Sequence, residues 1–306
     1  MSIVEKLVAL IRDTSSSLPE DVEKALQGAL RKEAKGSSAA VILRTIVDNV
    51  KLARRQGTPL CQDTGTLTFF VDESLRRKVT PAVLKQAVAR ATELGYLRKN
   101  CIDSVTGRSY DDNCAEGAPV VHYRETSCSS GARSSRPTVT LIMKGGGSEN
   151  MSRQYSLPDS TLGAGRDLAG VRKCILDAVQ KTQGYGCAPG ILGVCIGGDR
   201  ATGYEVAKEQ LLRPLDEDGL NFRFSDCLIA CEKSNKLKSS NQRIELPALE
   251  RKLLREANSL GIGPMGLGGK TTLLGVKLAS RPRVPASFFV TVAYMCWACR
   301  RRTCEI

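Results

Sequence analysis

The sequence predicts a mixed α/β or α+β fold, with N-terminal helices packed on a mixed-sheet region. Three observations carry that expectation. The first 56 residues place apolar side chains at helical spacing. From residue 67 onward, short runs rich in β-branched and aromatic residues read as strands, at 67–71, 120–123, 138–143, 191–196, 271–278 and 288–294. Helical patterns lie between these runs, as a layered fold of both element types requires.

Taken in order, Pro19 opens a helix in which Val22, Ala25 and Leu26 share a face, because proline is tolerated only where a helix begins. A second helix is expected over 38–55, with Val41, Ile42, Ile46 and Val50 on one side. Thr80-Pro81 starts another, with Val83, Leu84, Ala87, Val88, Ala91 and Leu94 turned inward and Gly95 as the stop. The segment 126–136 is rich in Ser, Gly and Arg and reads as an exposed loop. Helices follow at 167–180, at a Thr202-x-x-Glu205 capping box running to Arg213, and at 247–258 with Leu249, Leu253 and Ala257 as one stripe. No internal repeat and no linker composition interrupts the chain, so a single domain over 1–306 is expected, its first 56 residues helical.

Composition narrows the function classes. Lys and Arg number 45 against 32 Asp and Glu, a net charge of 45 − 32 = +13. With 42% hydrophobic and 25% charged residues, disorder over the whole length is excluded. The apolar runs are far shorter than the ~20 residues of a membrane span. The apolar residues near the N-terminus are broken by Glu5 and Lys6, unlike a secretory leader, so a cytoplasmic address is expected. The basic residues come in short bursts at 51–55, 76–78, 233–238 and 300–302, separated by amphipathic segments. Only 14 aromatics are present and no strand concentrates them for base stacking, which leaves nucleic acid poorly supported. The bursts read as solvated surface plus a site for an anion.

Several motifs fail on context. Gly261-Ile262-Gly263-Pro264-Met265-Gly266 has dinucleotide-binding spacing, but it follows a helix and leads to a strand, the reverse of that motif's setting. Gly269-Lys270-Thr271 resembles the end of a phosphate loop, yet the first glycine of that loop would fall at Pro264. These glycines remain either backbone N–H donors for a small anion or tight turns. His122, the single histidine, lies in an apolar run and reads as a strand residue with a satisfied hydrogen bond. A histidine-based triad or zinc site is thereby all but excluded.

Twelve cysteines in a chain of this size and expected address do not suggest a disulfide scaffold. Cys296-Trp297-Ala298-Cys299 is the one C-x-x-C, and without a second pair a zinc ribbon fails. Most cysteines are expected to be small buried hydrophobes. Three stand apart. Cys61 precedes a strand, Cys187 lies between a helix and a strand, and Cys296 ends the last expected strand. Each is at an element terminus, where a side chain can face a shared site, although spacing alone leaves their purpose open.

Five segments, in order, settle the comparison by resemblance: Thr-Pro-Leu-Cys-Gln-Asp-Thr-Gly (58–65), Lys-Gly-Gly-Gly-Ser-Glu-Asn (144–150), Gly-Tyr-Gly-Cys-Ala-Pro-Gly (184–190), Gly-Ile-Gly-Pro-Met-Gly-Leu-Gly-Gly-Lys-Thr-Thr (261–272) and Met-Cys-Trp-Ala (295–298). They resemble the iron–sulfur hydro-lyases, class I fumarate hydratase and L-tartrate dehydratase, in their alpha subunit or N-terminal domain. The resemblance implies a lyase holding a [4Fe–4S] cluster through Cys61, Cys187 and Cys296, at the ends of strands and loops. It makes 57–306 the cluster- and substrate-binding region. With three cysteine ligands one iron stays open, a Lewis acid for reversible addition of water to a dicarboxylate. Fumarate and L-malate, a tricarboxylic acid cycle pair, are the favoured substrates on the Lys-Gly-Gly-Gly-Ser-Glu-Asn segment, with tartrate the alternative.

The resemblance also implies substrate contacts at Gln62 and Asp63, with Asp63 catalytic, a carboxylate grip at Arg98, and backbone N–H groups from Gly145, Gly146 and Gly147, of which Gly146 is the best placed. Where the family commonly has a histidine before Pro-Ala-Ser, this chain has Val284, which removes one proton-transfer group. The family's second domain supplies further active-site residues, and the chain stops at Ile306. The expectation is therefore half an enzyme, either one subunit completed by a beta subunit within a higher oligomer or a truncated chain. Two other classes stay in view: a non-catalytic cluster protein or RNA-binding regulator, and a thiol oxidoreductase acting through Cys296 and Cys299.

Overall fold

A computed structural model describes residues 1–125, 136–216 and 246–306. Two four-stranded mixed sheets are built in it, each covered on both faces. Three helices precede the first strand: α1 (Ile3–Ser16), α2 (Glu20–Lys32) and α3 (Ser38–Gln56). The first begins at a capping box that the helical reading of 1–56 did not use. Ser2 Oγ accepts from Glu5 N at 3.2 Å, and Ser2 N donates back to Glu5 Oε2 at 2.6 Å. Acidic residues open α2 and basic residues close it, in line with its dipole. Gly57, at φ 65°, ends α3.

The first sheet contains β1 (Thr66–Asp72), β4 (Val120–Arg124), β5 (Thr138–Lys144) and β10 (Arg300–Glu305), ordered β10-β5-β1-β4. Only the β1–β4 pair is parallel. Between β1 and β4 lie α4 (Pro81–Glu93) and a small hairpin of β2 (Cys101–Ile102) and β3 (Ser109–Tyr110). The second sheet has β6 (Arg153–Ser156), β7 (Gly190–Gly197), β8 (Leu273–Arg281) and β9 (Phe289–Met295), ordered β6-β9-β7-β8 with β7 and β8 parallel. Among the described residues the remaining α-helices are α5 (Gly146–Asn150), α6 (Leu168–Thr182), α7 (Arg200–Gln210) and α8 (Leu246–Ser259).

Strand alternation divides the side chains into three cores. Leu67, Phe69 and Val71 of β1 pack with α1 and α4, while Phe70 points the other way. That other side is the central core, where α2, α3 and α7 lie against Phe70 and Ile142 of the first sheet and Ile191, Cys195 and Met295 of the second. Leu192 and Val194 of β7 face the third core, with α6 and α8. The Cys61 segment and the Cys296 end of β9 both border the central core, which brings distant parts of the chain together.

The expected mixed class and N-terminal helices are present, with some corrections. Val41 is 58% exposed, because the inward stripe of α3 runs through Leu43, Ile46, Val50 and Ala53, nearly opposite it. Leu94 is 43% exposed as the C-cap of α4. The cap of α7 is Asp199, whose carboxylate accepts from Ala201 N and Thr202 N; Thr202 is the third residue of that box and Glu205 takes no part. The 300–302 burst is the start of β10 rather than wholly solvated surface, since Arg300 is buried and Arg301 pairs with Asp21 at 2.5 Å. The expected loop residues 126–135 and the basic burst 233–238 lie outside the described residues. Among the described residues, no helix is long and apolar enough to cross a membrane.

Candidate active site

The Cys61 segment is fixed from both sides. Leu60 N donates to Ser15 O at 3.0 Å, and Asn49 Nδ2 donates to Leu60 O at 3.0 Å. Gly65 follows at φ 73°, with Lys144 O only 2.4 Å from where a Cβ would stand, so the loop crosses β5 where only glycine fits. Thr64 Oγ1 donates to Arg98 O at 2.8 Å and accepts from Arg98 N at 2.9 Å. The backbone of Arg98 is thereby tied beside Asp63, while its side chain stays exposed.

Asp63 joins the other expected substrate elements. Its Oδ2 accepts from Gly146 N at 2.7 Å, and its Oδ1 accepts from Asn100 Nδ2 at 3.4 Å. Gly145 lies against the same carboxylate, which a Cβ would approach to 2.7 Å. Residues 145–147, expected to offer backbone N–H groups to substrate, are the cap and first turn of α5. The N–H of Gly146 is engaged by Asp63 rather than pointing free, while Gly146 and Gly147 are exposed. Ser148, buried in α5, accepts from Cys296 N at 3.1 Å and links the glycine segment to the third cysteine.

Cys187 has φ 50°, a left-handed conformation uncommon for a non-glycine residue. Its loop is shaped by Tyr294, whose ring lies so close to Gly186 and Gly190 that a Cβ at either would come within 2.5 Å of it. Trp297 N donates to Cys187 O at 3.4 Å, tying the second and third cysteine segments. The Cys187 thiol is pushed up by burial and then by the negative charge of Cys296, Cys61 and Asp63. Burial raises Cys296 as well, opposed by a bond from Ser148 and by the positive charge of Arg300, with Cys61 adding to the rise. The three thiols therefore share one electrostatic neighbourhood. Among the described residues, no three His, Cys, Asp or Glu side chains are close enough to hold one metal ion. A cluster sets a different demand, because each thiolate meets its own iron.

Two buried polar groups beside the cysteines were not foreseen. Among the described residues Tyr294 Oη has no hydrogen-bond partner, and neither do Arg300 Nε and Nη1; the remaining nitrogen of Arg300, Nη2, donates to Asp63 O at 2.7 Å. Both side chains are 2% exposed. Unpaired buried donors beside soft thiol ligands fit an anionic sulfur-rich group, and they fit an isolated cation poorly. Tyr294 carried no sequence signal beyond its place in an apolar strand, while Arg300 was hidden in a run of arginines.

Other expectations resolve away from the cysteines. The N–H groups of Lys270 and Thr271 donate to Glu33 Oε1 at 2.8 and 3.2 Å, so a carboxylate of the chain itself occupies those glycine-loop donors. His122 stacks on Phe70, with its Nδ1 3.6 Å from Glu205 Oε1, longer than a hydrogen bond. Burial lowers its pKa. Cys299 is buried with its thiol toward Leu211 O at 4.0 Å, and Val284 is 64% exposed.

Lys144, at the end of β5, bonds Glu149 Oε2 at 3.0 Å and Ser152 Oγ at 3.2 Å, and Lys208 holds the other oxygen of Glu149 at 2.7 Å. Burial lowers the Lys144 pKa from 10.5 to about 8, with Glu149 opposing the shift. Between those values the unfolded chain holds a proton that the native lysine has lost, so this group's contribution to stability rises with pH. Several buried thiols, Cys174, Cys195 and Cys299 among them, are pushed up to about 11 and contribute the opposite slope. Urea unfolding at about pH 7.5 and about pH 10 should therefore be compared with Lys144→Met. The difference between the two proteins should change by on the order of 2–3 kcal/mol across that range. A constant difference would show Lys144 keeping its proton throughout.

A profile of the family described as fumarate hydratase (fumerase) matches residues 4–305. The chain is 44% identical over 304 residues to a protein assigned as a class I fumarate hydratase in Geobacillus stearothermophilus, covering 98% of this chain and 54% of that protein. It is 31% identical over 307 residues to a protein assigned as L(+)-tartrate dehydratase subunit alpha in Methanocaldococcus jannaschii, covering 98% and 96%. Against the L(+)-tartrate dehydratase subunit alpha of Escherichia coli K12 it is 28% identical over 304 residues, covering 98% and 88%. The chain thus spans about half the length of the first of these relatives and most of the two alpha subunits.

Proposed function

This chain belongs to the fumarate hydratase family, and we propose on that footing that it is the cluster-holding half of an iron–sulfur hydro-lyase. The reading gives it reversible hydration of fumarate to L-malate, a [4Fe–4S] cluster on Cys61, Cys187 and Cys296, and a beta subunit or domain that completes the site. One observation carries it. Three thiols far apart in sequence feel one another's charge, beside buried donors of Arg300 and Tyr294 that have no partner among the described residues. When bound, the cluster supplies an open iron acting as a Lewis acid toward water and a substrate oxygen.

The chain's own residues do the rest. Asp63, two residues from Cys61, has its carboxylate oriented by Gly146 and Asn100 and would accept or return a proton. Gln62, exposed beside it, offers an amide to a substrate oxygen. Gly145 and Gly147 flank the Gly146–Asp63 bond and keep side chains away from the substrate's approach. The Arg98 guanidinium, on a backbone pinned to Thr64, reaches for one substrate carboxylate. Arg98→Met should raise KM by roughly 10–100-fold with little change in kcat, as loss of a charge-assisted hydrogen bond predicts. Steady-state rates over a range of fumarate concentrations measure this, and an unchanged KM would remove Arg98 from the site.

The test of the whole reading is anaerobic reconstitution with iron and sulfide. About four irons per chain, with the visible and EPR spectra of a cubane cluster, are expected. Fumarate hydration should follow once the chain is combined with a class I beta partner. No iron uptake would overturn the reading. L-tartrate dehydration is the second reading, favoured by the two alpha-subunit relatives, and turnover of L-tartrate in preference to fumarate would select it.

A further inference from the structure

Arg300 is the first residue of β10, opposite Met143 on β5, and its side chain is 2% exposed. Two other deeply placed arginines have a carboxylate partner: Arg301 has Asp21 at 2.5 Å, and Arg213 has Glu250 at 2.8 Å. Arg300 has none among the described residues. One nitrogen donates to Asp63 O, and the remaining two are buried without an acceptor. A permanently charged guanidinium is kept inside a protein only when an anion offsets its lost hydration. The nearby groups that become anions when they bind metal are the cysteine sulfurs: Arg300 Nη2 sits on the carbonyl of Asp63, two residues from Cys61, and the Arg300 charge acts on Cys296, four residues earlier in the chain.

We propose that Arg300 is the built-in counter-cation of the sulfur group held by Cys61, Cys187 and Cys296, and that its charge sets how readily that group accepts an electron. This rests on the functional reading above. Three thiolates outweigh the positive charge of an oxidised cubane core, so the assembled group is an anion, and reduction adds a further negative charge. A fixed buried cation stabilises the reduced form more than the oxidised one. Cluster potentials respond to nearby charge and to hydrogen bonds on sulfur, and outer groups tune ligands in this way. Arg300 is thus a positioning and tuning residue rather than a catalytic one, with Nε and Nη1 as the donors left for sulfur.

The experiment is an EPR-monitored redox titration of the anaerobically reconstituted chain, with iron per chain measured on the same samples. Wild type is compared with Arg300→Gln and Arg300→Lys. Arg300→Gln should make one-electron reduction at least about tenfold less favourable, about 59 mV more negative, or else retain less than half of the wild-type iron. Arg300→Lys keeps the charge and should stay close to wild type in both readings. An Arg300→Gln protein with full iron and the wild-type potential would overturn the proposal. So would equal loss in both variants, which would trace to the lost fork on Asp63 O, a structural role that charge does not rescue. A wild-type chain that takes up no iron removes the parent reading as well, so the two failures are told apart.

Discussion

Cys61→Ser, Cys187→Ser and Cys296→Ser should each take iron after anaerobic reconstitution from about four per chain to below about one, and abolish hydratase activity with it. Serine is a poor ligand for iron in this setting, and with two thiolates left the cluster is held at one edge only. The loss should exceed the 10–100-fold that follows when a group behind a metal ligand is removed. Cys299→Ser is the control. It sits three residues from Cys296 but turns its thiol toward Leu211 O in the central core, so iron and activity should survive. A thiol oxidoreductase would give the reverse pattern, depending on Cys299 and indifferent to iron. The Cys61 and Cys187 variants should melt near the wild-type apo protein, since neither residue is among its buried core side chains.

How much of this was legible before the structure depends on what each residue contributes. Strands 67–71, 191–196 and 288–294 were readable because their apolar runs are buried on both faces and bounded by turn residues. β10 was not, because its residues Arg300-Arg301-Arg302-Thr303-Cys304-Glu305 carry an edge strand's polar composition, and a basic run is ordinarily surface. Helix α5 was missed because Gly146-Gly147 has the composition of a turn, and its helical form is held by Asp63 at Gly146 N and by Cys296 N at Ser148. The Thr202 box failed because Asp199, three residues upstream, caps the same N–H groups better with a charged oxygen. The three cysteines stand out in the sequence by their places at element termini, while the roles proposed for them and for Asp63 come from the motif resemblance. The partners that orient them, Thr64, Asn100, Ser148, Tyr294 and Arg300, are single residues whose meaning comes from contacts across tens to hundreds of positions, which periodicity does not encode.

Asp63→Asn separates the framing of the site from its chemistry. The backbone of Asp63 is held by Arg300 at its carbonyl, and its carboxylate accepts from Gly146 and Asn100. Asparagine has the same shape, its amide oxygen can take the Gly146 N–H, and Asn100 can turn its own amide to meet the new NH2 group. The loop and the adjacent Cys61 should therefore stay in place, and reconstituted iron should match wild type. What the variant lacks is a group that accepts a proton, together with one negative charge. General acid–base groups contribute about 10²–10⁴-fold, so kcat for fumarate hydration should fall by that factor. KM should hold steady or drop, because removing an anion eases the approach of a dianionic substrate; a role limited to binding would instead raise KM at constant kcat. Full iron with kcat within about fivefold of wild type would leave Asp63 as a bracket for the glycine segment and put the proton with the partner subunit. Full iron with kcat in the expected range would place the acid–base group on this chain, beside the first cysteine, and Asp63→Glu should then recover part of the rate.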